Sequence, residues 1–205
     1  MKQPPAFVIT LKNHRLSESL TQECLYSAKK HNWDVQVFNA INGNNVTDTT
    51  WINIGVIPLI NKYGMSRPGT QGCFLSHFTL WKKCLELNRE IVIVEHDAIF
   101  EAPWDEQLTS VDNLVKLTQF KAKKGYRQDE LSGSWATGAT AYLINPKQAK
   151  QLITFSKTVG ALPTDVAMGS NVIDFINLDY LYVKINKRMK DIRYSTTGNL
   201  GRLNL

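Results

Sequence analysis

Three ionisable side chains, Glu95, His96 and Asp97, directly follow the apolar run Ile91-Val92-Ile93-Val94. An unbroken β-branched run is the pattern of a strand buried on both faces of a sheet. Ligands of open α/β sheets bind at the carboxyl ends of the strands. Charged groups there lose hydration, which a metal ion or a charged ligand offsets. Glu95 and Asp97 are two residues apart, so on a straight strand they share a face. A chain turn after Val94 would bring both into one crevice, where two carboxylates make a half-site for a hard divalent cation. The competing reading is a charged strand-to-loop transition with no ligand.

The elements that must position this tripeptide alternate in type. Ala6 to Leu11 reads as a first strand, Leu16 to Lys30 as a helix and Asp34 to Phe38 as a second strand. Asn42 to Asn45 is a turn. In Thr70 to Leu87, Phe74, Phe78, Trp81 and Leu85 form one helical stripe, and Cys73, His77, Leu80 and Cys84 an adjoining one. A helix buried on a wide face is expected. Thr140 to Ile144 reads as a strand, Pro146 to Ser156 as a helix begun by proline, and Leu178 to Ile185 as an edge strand. This alternation predicts an α/β fold with a mostly parallel sheet. The 205 residues are expected to form one domain, 1–205, with a basic segment from about residue 178.

Composition narrows the partners. The formal net charge is +6. Lys184, Lys187, Arg188, Lys190 and Arg193 form one basic group, and Lys121, Lys123, Lys124 and Arg127 another. Such groups suit a polyanion, or else are solvated surface. No apolar run has the length of a transmembrane helix. The opening MKQPPAFVITL is not expected to act as a signal peptide, its apolar run being short with no small-residue cleavage site behind it. Three cysteines without a CxxC pair suit reduced thiols, so a cytoplasmic location is expected, with attachment to a membrane surface left open.

Several motifs together resemble one family. Gly72-Cys73-Phe74-Leu75-Ser76-His77 followed by Trp81 resembles the GC-x-LSH-x-x-x-W signature of glycosyltransferase family 25, which includes lipooligosaccharide and collagen galactosyltransferases. Val8 to Arg15, Phe38 to Gly43, Ile93 to Ala98, Thr137 to Ile153 and Pro163-Thr164-Asp165 resemble further family segments in the same order. The likeness covers roughly residues 6–170. His96 stands where the family has the middle aspartate of an acidic motif, Asn42 where it has a turn aspartate, and Thr10 where it has an asparagine. His96 is then an extra ligand, a neutral hydrogen-bond partner, a mark of altered metal use, or a loop histidine without a role.

The resemblance implies a GT-A-like nucleotide-sugar fold and sugar transfer from a nucleoside diphosphate donor, inverting and assisted by Mn²⁺ or Mg²⁺. Asp97 with Glu95 is the expected cation site. Thr10, Arg15, Asn42, Gly43, Ser76, His77, Glu95, His96 and Gly138 are the expected donor-side residues, with Arg15 at a phosphate or the ribose unless it is a surface arginine. Asp165 is the expected general base, with helix N-capping as its competing role. Gly72 and Gly138 are expected to permit close backbone approach. Trp81 and Tyr142 are expected in the core, and Trp135 is the candidate for stacking on a sugar or base. Ser76 and His77 are adjacent on a helix and point about 100° apart, which excludes a nucleophile–base pair. The expected acceptor is a lipooligosaccharide-type glycan. A hydroxylated base in DNA is the alternative, with phosphate contacts and base extrusion. A catalytically silent nucleotide-sugar or polyanion-binding module is another. A two-metal phosphoesterase lacks a second acidic cluster.

Overall fold

The computed structural model describes residues 3–110, 112–118, 127–129, 131–135, 138–178 and 180–186. In chain order the elements are β1 (Ala6–Thr10), α1 (Arg15–Lys30), β2 (Val35–Asn39), α2 (Asp48–Ile54), α3 (Pro68–Leu87), β3 (Ile91–Glu95), β4 (Ala98–Phe100) and β5 (Leu114–Lys116). There follow β6 (Arg127–Asp129), β7 (Gly133–Trp135), β8 (Ala141–Ile144), α4 (Pro146–Thr158), α5 (Thr164–Ala167), β9 (Phe175–Asn177) and β10 (Val183–Ile185).

Six strands form the main sheet in the order β2-β1-β3-β8-β5-β9. β1 is parallel to β2 and β3, β8 is antiparallel to β3 and β5, and β9 is parallel to β5. Only β8 is reversed, so this is the mostly parallel, helix-flanked α/β sheet of a GT-A-like fold. Alternation along β3 divides the core. Ile91 and Ile93 pack with Phe74, Phe78 and Trp81 of α3 on one face, while Val92 and Val94 pack with Cys24 and Ala28 of α1 on the other. Both faces being covered explains why the run is apolar throughout.

Local signals set the helix ends. Pro68 occupies the first turn of α3, whose missing N–H has no helical partner in any case, and Asn88 ends it in a left-handed conformation. Asn145 and Gln148 form a capping box for α4, with Pro146 inside the first turn. Both stripes of α3 are buried or packed on the core, apart from the half-buried Cys73 at its cleft end. The expected edge strand over 178–185 is shorter in the structure. Only Val183–Ile185 is a strand, and it pairs antiparallel with β4 in a separate two-stranded sheet.

Glycine fixes how α3 meets the turn after β2. A Cβ on Gly72 would stand 2.5 Å from the Ile41 carbonyl oxygen and 2.7 Å from the Gly43 nitrogen. Both are backbone atoms and cannot swing aside. Gly72→Ala is therefore expected to lower stability by about 1–3 kcal/mol, the usual range for overpacking, read as a lower melting temperature.

Candidate active site

A cleft of about 620 Å³ opens at the carboxyl ends of the three adjacent parallel strands. Leu11 and His14 follow β1, Ala40 to Asn44 follow β2, and Glu95 to Asp97 close β3; all line it. The fourth wall is the start of α3, with Arg67, Pro68, Gly69, Gly72, Cys73, Ser76 and His77. Among the described residues, four buried side-chain polar atoms lack a hydrogen-bond partner: His77 Nε2, His96 Nε2, Asp97 Oδ1 and Trp104 Nε1. Three of the four belong to residues that line this cleft. Buried polar atoms are nearly always satisfied, so their concentration here points to a ligand.

The α3 residues act as a connected unit. Ser76 Oγ accepts the Ile41 N–H at 2.9 Å and donates to the Gly72 carbonyl at 2.7 Å, tying the turn after β2 to the helix. The Trp81 indole N–H donates to the Tyr142 hydroxyl at 2.9 Å, and that hydroxyl lies 2.8 Å from His77 Nδ1. Tyr142 thus joins Trp81 to Nδ1 of His77, whose other ring nitrogen, Nε2, lies on the Glu95 side. Nε2 stands 3.4 Å from Glu95 Oε1, close enough for ion-pair attraction but not aligned as a hydrogen bond. The Cys73 thiol donates to the same carboxylate oxygen at 3.7 Å. Gly72, Cys73, Ser76, His77 and Trp81 thus work together to hold the cleft wall and the Glu95 carboxylate.

That pattern decides the family. Residues 3–168 match the family described as "Glycosyltransferase family 25 (LPS biosynthesis protein)". The chain belongs to glycosyltransferase family 25. It is 28% identical over 156 residues to a protein of Aedes aegypti named "Glycosyltransferase 25 family member", covering 64% of this chain and 25% of that protein. It is 24% identical over 182 residues to "Procollagen galactosyltransferase 1-A" of Xenopus laevis, covering 78% and 29%. It is 29% identical over 115 residues to "Procollagen galactosyltransferase 2" of Homo sapiens, covering 53% and 18%. The chain spans less than a third of the length of these relatives.

In this family 25 chain the ionisable groups at the end of β3 perturb one another. Burial alone would raise Glu95, but the adjacent His77 imidazole, then His96 and Cys73, hold it below the usual carboxylate range. Burial, and then the Glu95 charge, push Asp97 up to about 7. Burial lowers His96 despite Glu95. A divalent cation fits this donor set. Asp97 presents a buried oxygen without a partner, and a positive ion relieves the penalty that burial and Glu95 impose on it. Asp97 and Glu95 are the residues that would hold it.

Of the other residues singled out in the sequence, Asn42, Gly43, Ser76, His77 and His96 line the cleft with Glu95 and Asp97. Thr10, Arg15, Gly138 and Asp165 are not among its lining residues. The Thr10 hydroxyl lies 2.8 Å from that of Thr21, joining β1 to α1. Arg15 is exposed at the first position of α1. Gly138 has φ +94, and nothing lies within 4 Å of where its Cβ would stand, so left-handed backbone rather than close approach requires glycine there. Asp165 sits within α5, whose N-cap is Pro163, so the competing capping role is not the one it fills; its carboxylate accepts the Val166 N–H at 3.1 Å. Lys184 is paired with Glu101. Lys121, Lys123, Lys124, Lys187, Arg188, Lys190 and Arg193, and the side chains of Arg127 and Trp135, lie outside the described residues.

Three residues escape the sequence reading. His14 and Arg67 line the cleft where Arg15 does not. Lys116, 2% exposed at the end of β5, donates from Nζ to the Gly138 carbonyl at 2.5 Å. Burial lowers it to about 8 against the charges of Asp165 and Glu95. Burial raises Asp165, opposed by Lys116 and by the Gly138 and Val166 N–H groups. This group lies at the same end of the sheet as the cleft, since Glu95 N–H donates to the Thr140 carbonyl beside Gly138 and Asp165 adjoins Thr164, whose hydroxyl is 3.9 Å from Cys73 Sγ.

Two outcomes test this geometry. Tyr142→Phe leaves the buried Trp81 N–H and His77 Nδ1 without a partner and is expected to lose about 1–3 kcal/mol per orphaned group in a denaturant titration. Asp97 keeps its proton longer when folded than unfolded, so its contribution is full below about pH 4 and is lost as pH rises to about 7. In metal-free buffer, Asp97→Asn is therefore expected to be more stable than wild type at about pH 7.5, by up to about 4 kcal/mol, and not at about pH 4. Mn²⁺ is expected to raise the wild-type melting temperature and to leave that of the variant nearly unchanged.

Proposed function

We propose that the chain transfers a sugar from a nucleoside diphosphate donor to an acceptor hydroxyl, with inversion, and that the donor is UDP-linked. The observation that carries this reading is the cleft at the ends of β1, β2 and β3 and the start of the 20-residue α3, lined by His77, His96 and Asp97 with their unpartnered atoms. Two of the relatives named above are procollagen galactosyltransferases, which supports a galactosyl donor. The family's association with LPS biosynthesis supports a lipooligosaccharide-type glycan as acceptor. Free Cys24, Cys73 and Cys84 suit a reducing compartment, so the proposed location is the cytoplasm. No helix among the described residues is long and apolar enough to cross a membrane.

In this reading the diphosphate lies against the first turn of α3, where unpaired N–H groups and the helix dipole favour anions, with Arg67 beside it. When bound, Mn²⁺ or Mg²⁺ stabilises the charge of the leaving diphosphate. Asp97 and Glu95 hold the negative side of the site, and His77 and Cys73 fix the Glu95 carboxylate. Asp165 takes the proton of the acceptor hydroxyl, while Lys116 and the Gly138 N–H orient its carboxylate. Glu95 lies between the two groups, so the donor occupies the cleft and the acceptor arrives from the β5–β8 side.

The test is transfer and slow donor hydrolysis with UDP-galactose and Mn²⁺. Asp97→Asn is expected to abolish both and stay folded; wild-type turnover by this variant overturns the reading. Asp165→Asn is expected to cut transfer by roughly 10²–10⁴-fold, the usual range for a general base, with little change in donor affinity. Normal turnover of a folded Asp165→Asn variant removes it from the reaction. Donor binding without turnover by the wild-type chain identifies the silent binding module instead.

A further inference from the structure

Cys73, His77 and Glu95 form a second cluster of metal-binding type, distinct in chemistry from the carboxylate pair. One ligand atom from each, Sγ, an imidazole nitrogen and a carboxylate oxygen, lies within 4.8 Å of the others. The individual separations are 3.7 Å from Sγ to Glu95 Oε1 and 3.4 Å from His77 Nε2 to the same oxygen. Tetrahedral zinc with bonds of about 2.0–2.3 Å separates its ligands by about 3.3–3.6 Å, so movements of under about 1 Å complete the site. An independent observation points the same way. His77 is 0% exposed, and its Nε2 is one of the buried atoms without a hydrogen-bond partner.

We infer that Cys73, His77 and Glu95 bind a thiophilic divalent cation of the zinc class, and that this ion blocks the cleft. Sulfur is a poor ligand for the hard cations that suit Asp97 and Glu95, and a good one for zinc. Three protein ligands with a fourth position open to the cleft leave room for water. The Zn–S bond forms as the Cys73 thiol gives its proton to solvent. The neutral imidazole ligates through Nε2, with its one ring proton on Nδ1 and directed to the Tyr142 hydroxyl oxygen, the outer hydrogen bond that orients a ligating imidazole. Glu95 belongs to both sites, so the two cations exclude each other. Cys24 and Cys84 are fully buried on the inner faces of α1 and α3 and do not compete for the ion.

The binding claim stands on geometry alone; only the blocking claim rests on the proposed transfer reaction. The test is titration of the metal-free protein with Co²⁺, which reports thiolate coordination as a near-ultraviolet charge-transfer band, followed by displacement with Zn²⁺. The expected result is one equivalent of Co²⁺ with a thiolate band. Cys73→Ser, or Cys73→Ala if the serine variant does not fold, should abolish the band and weaken Zn²⁺ binding by at least the roughly 10–100-fold that losing an outer hydrogen bond produces. No thiolate band in the wild type, or a band retained by a folded Cys73 variant, overturns the site. With each chain's transfer rate on Mn²⁺ alone taken as its own reference, Zn²⁺ should lower the wild-type rate by a larger factor than that of Cys73→Ser at the same concentration; equal fractional inhibition of both overturns the blocking claim. A thiolate band without any transfer activity keeps the site and sinks the transferase reading, whereas transfer without a band does the reverse.

Discussion

One carboxylate in a poor solvent sets the design of this end of the sheet. Glu95 closes a strand whose preceding residues are fully buried, yet it stays ionised below the usual range. Burial opposes that state, and His77, His96 and Cys73 overcome it. The consequences spread outward. Glu95 raises Asp97, Cys73, Tyr142 and Asp165, and supports the charge of Lys116. Carboxylates gathered at one buried point lower the cost of bringing a positive charge beside them. Charge kept in low dielectric without its partner destabilises the fold, and functional sites are where that is tolerated.

The family signature acquires a physical meaning residue by residue. Gly72 is small because the Ile41 carbonyl passes over it. Ser76 ties that same turn to the helix. Trp81 is a core residue that also starts a chain of polar contacts through Tyr142 and His77 to Glu95. The spacing of these residues follows from helix geometry. Positions 73, 77 and 81 lie four apart and share one side of α3, so contacts to β3 and β8 are made in consecutive turns.

Strand β3, helix α3 and the capped start of α4 are legible in the sequence because periodicity and capping are local. So is the placement of strand-end residues at the cleft, since the end of an apolar run is visible in sequence. The misses are also physical. Arg15 and His14 differ by one residue, and one step around a helix start decides which of them faces the cleft. Lys116 stands within Leu114-Val115-Lys116-Leu117, where an alternating strand would place a lysine outward. Its partners, Gly138 and Asp165, come from distant segments that only the sheet brings together. The strand over Phe175–Asn177 is three residues long and defined by its pairing with β5, which no local pattern encodes. Asp165 lies in the first turn of α5, but the cap position, its competing role in the sequence, is taken by Pro163.

The two halves of the sheet end are linked through Glu95 rather than through a moving part. Asp165 is raised by burial and by the Glu95 charge, and Lys116 works against both. Positive charge brought to the β3 side screens Glu95 and so makes the ionised form of Asp165 easier to reach, by Coulomb interaction across a water-poor interior. A cation at Glu95 would therefore lower the proton affinity of Asp165 without any movement of the chain. The same coupling gives Lys116 a definite role. It compensates the second carboxylate at a point almost closed to solvent, and its bond to the Gly138 carbonyl sets the backbone whose N–H holds Asp165. Replacing it by a neutral residue would leave Asp165 and Glu95 without that buried counter-charge.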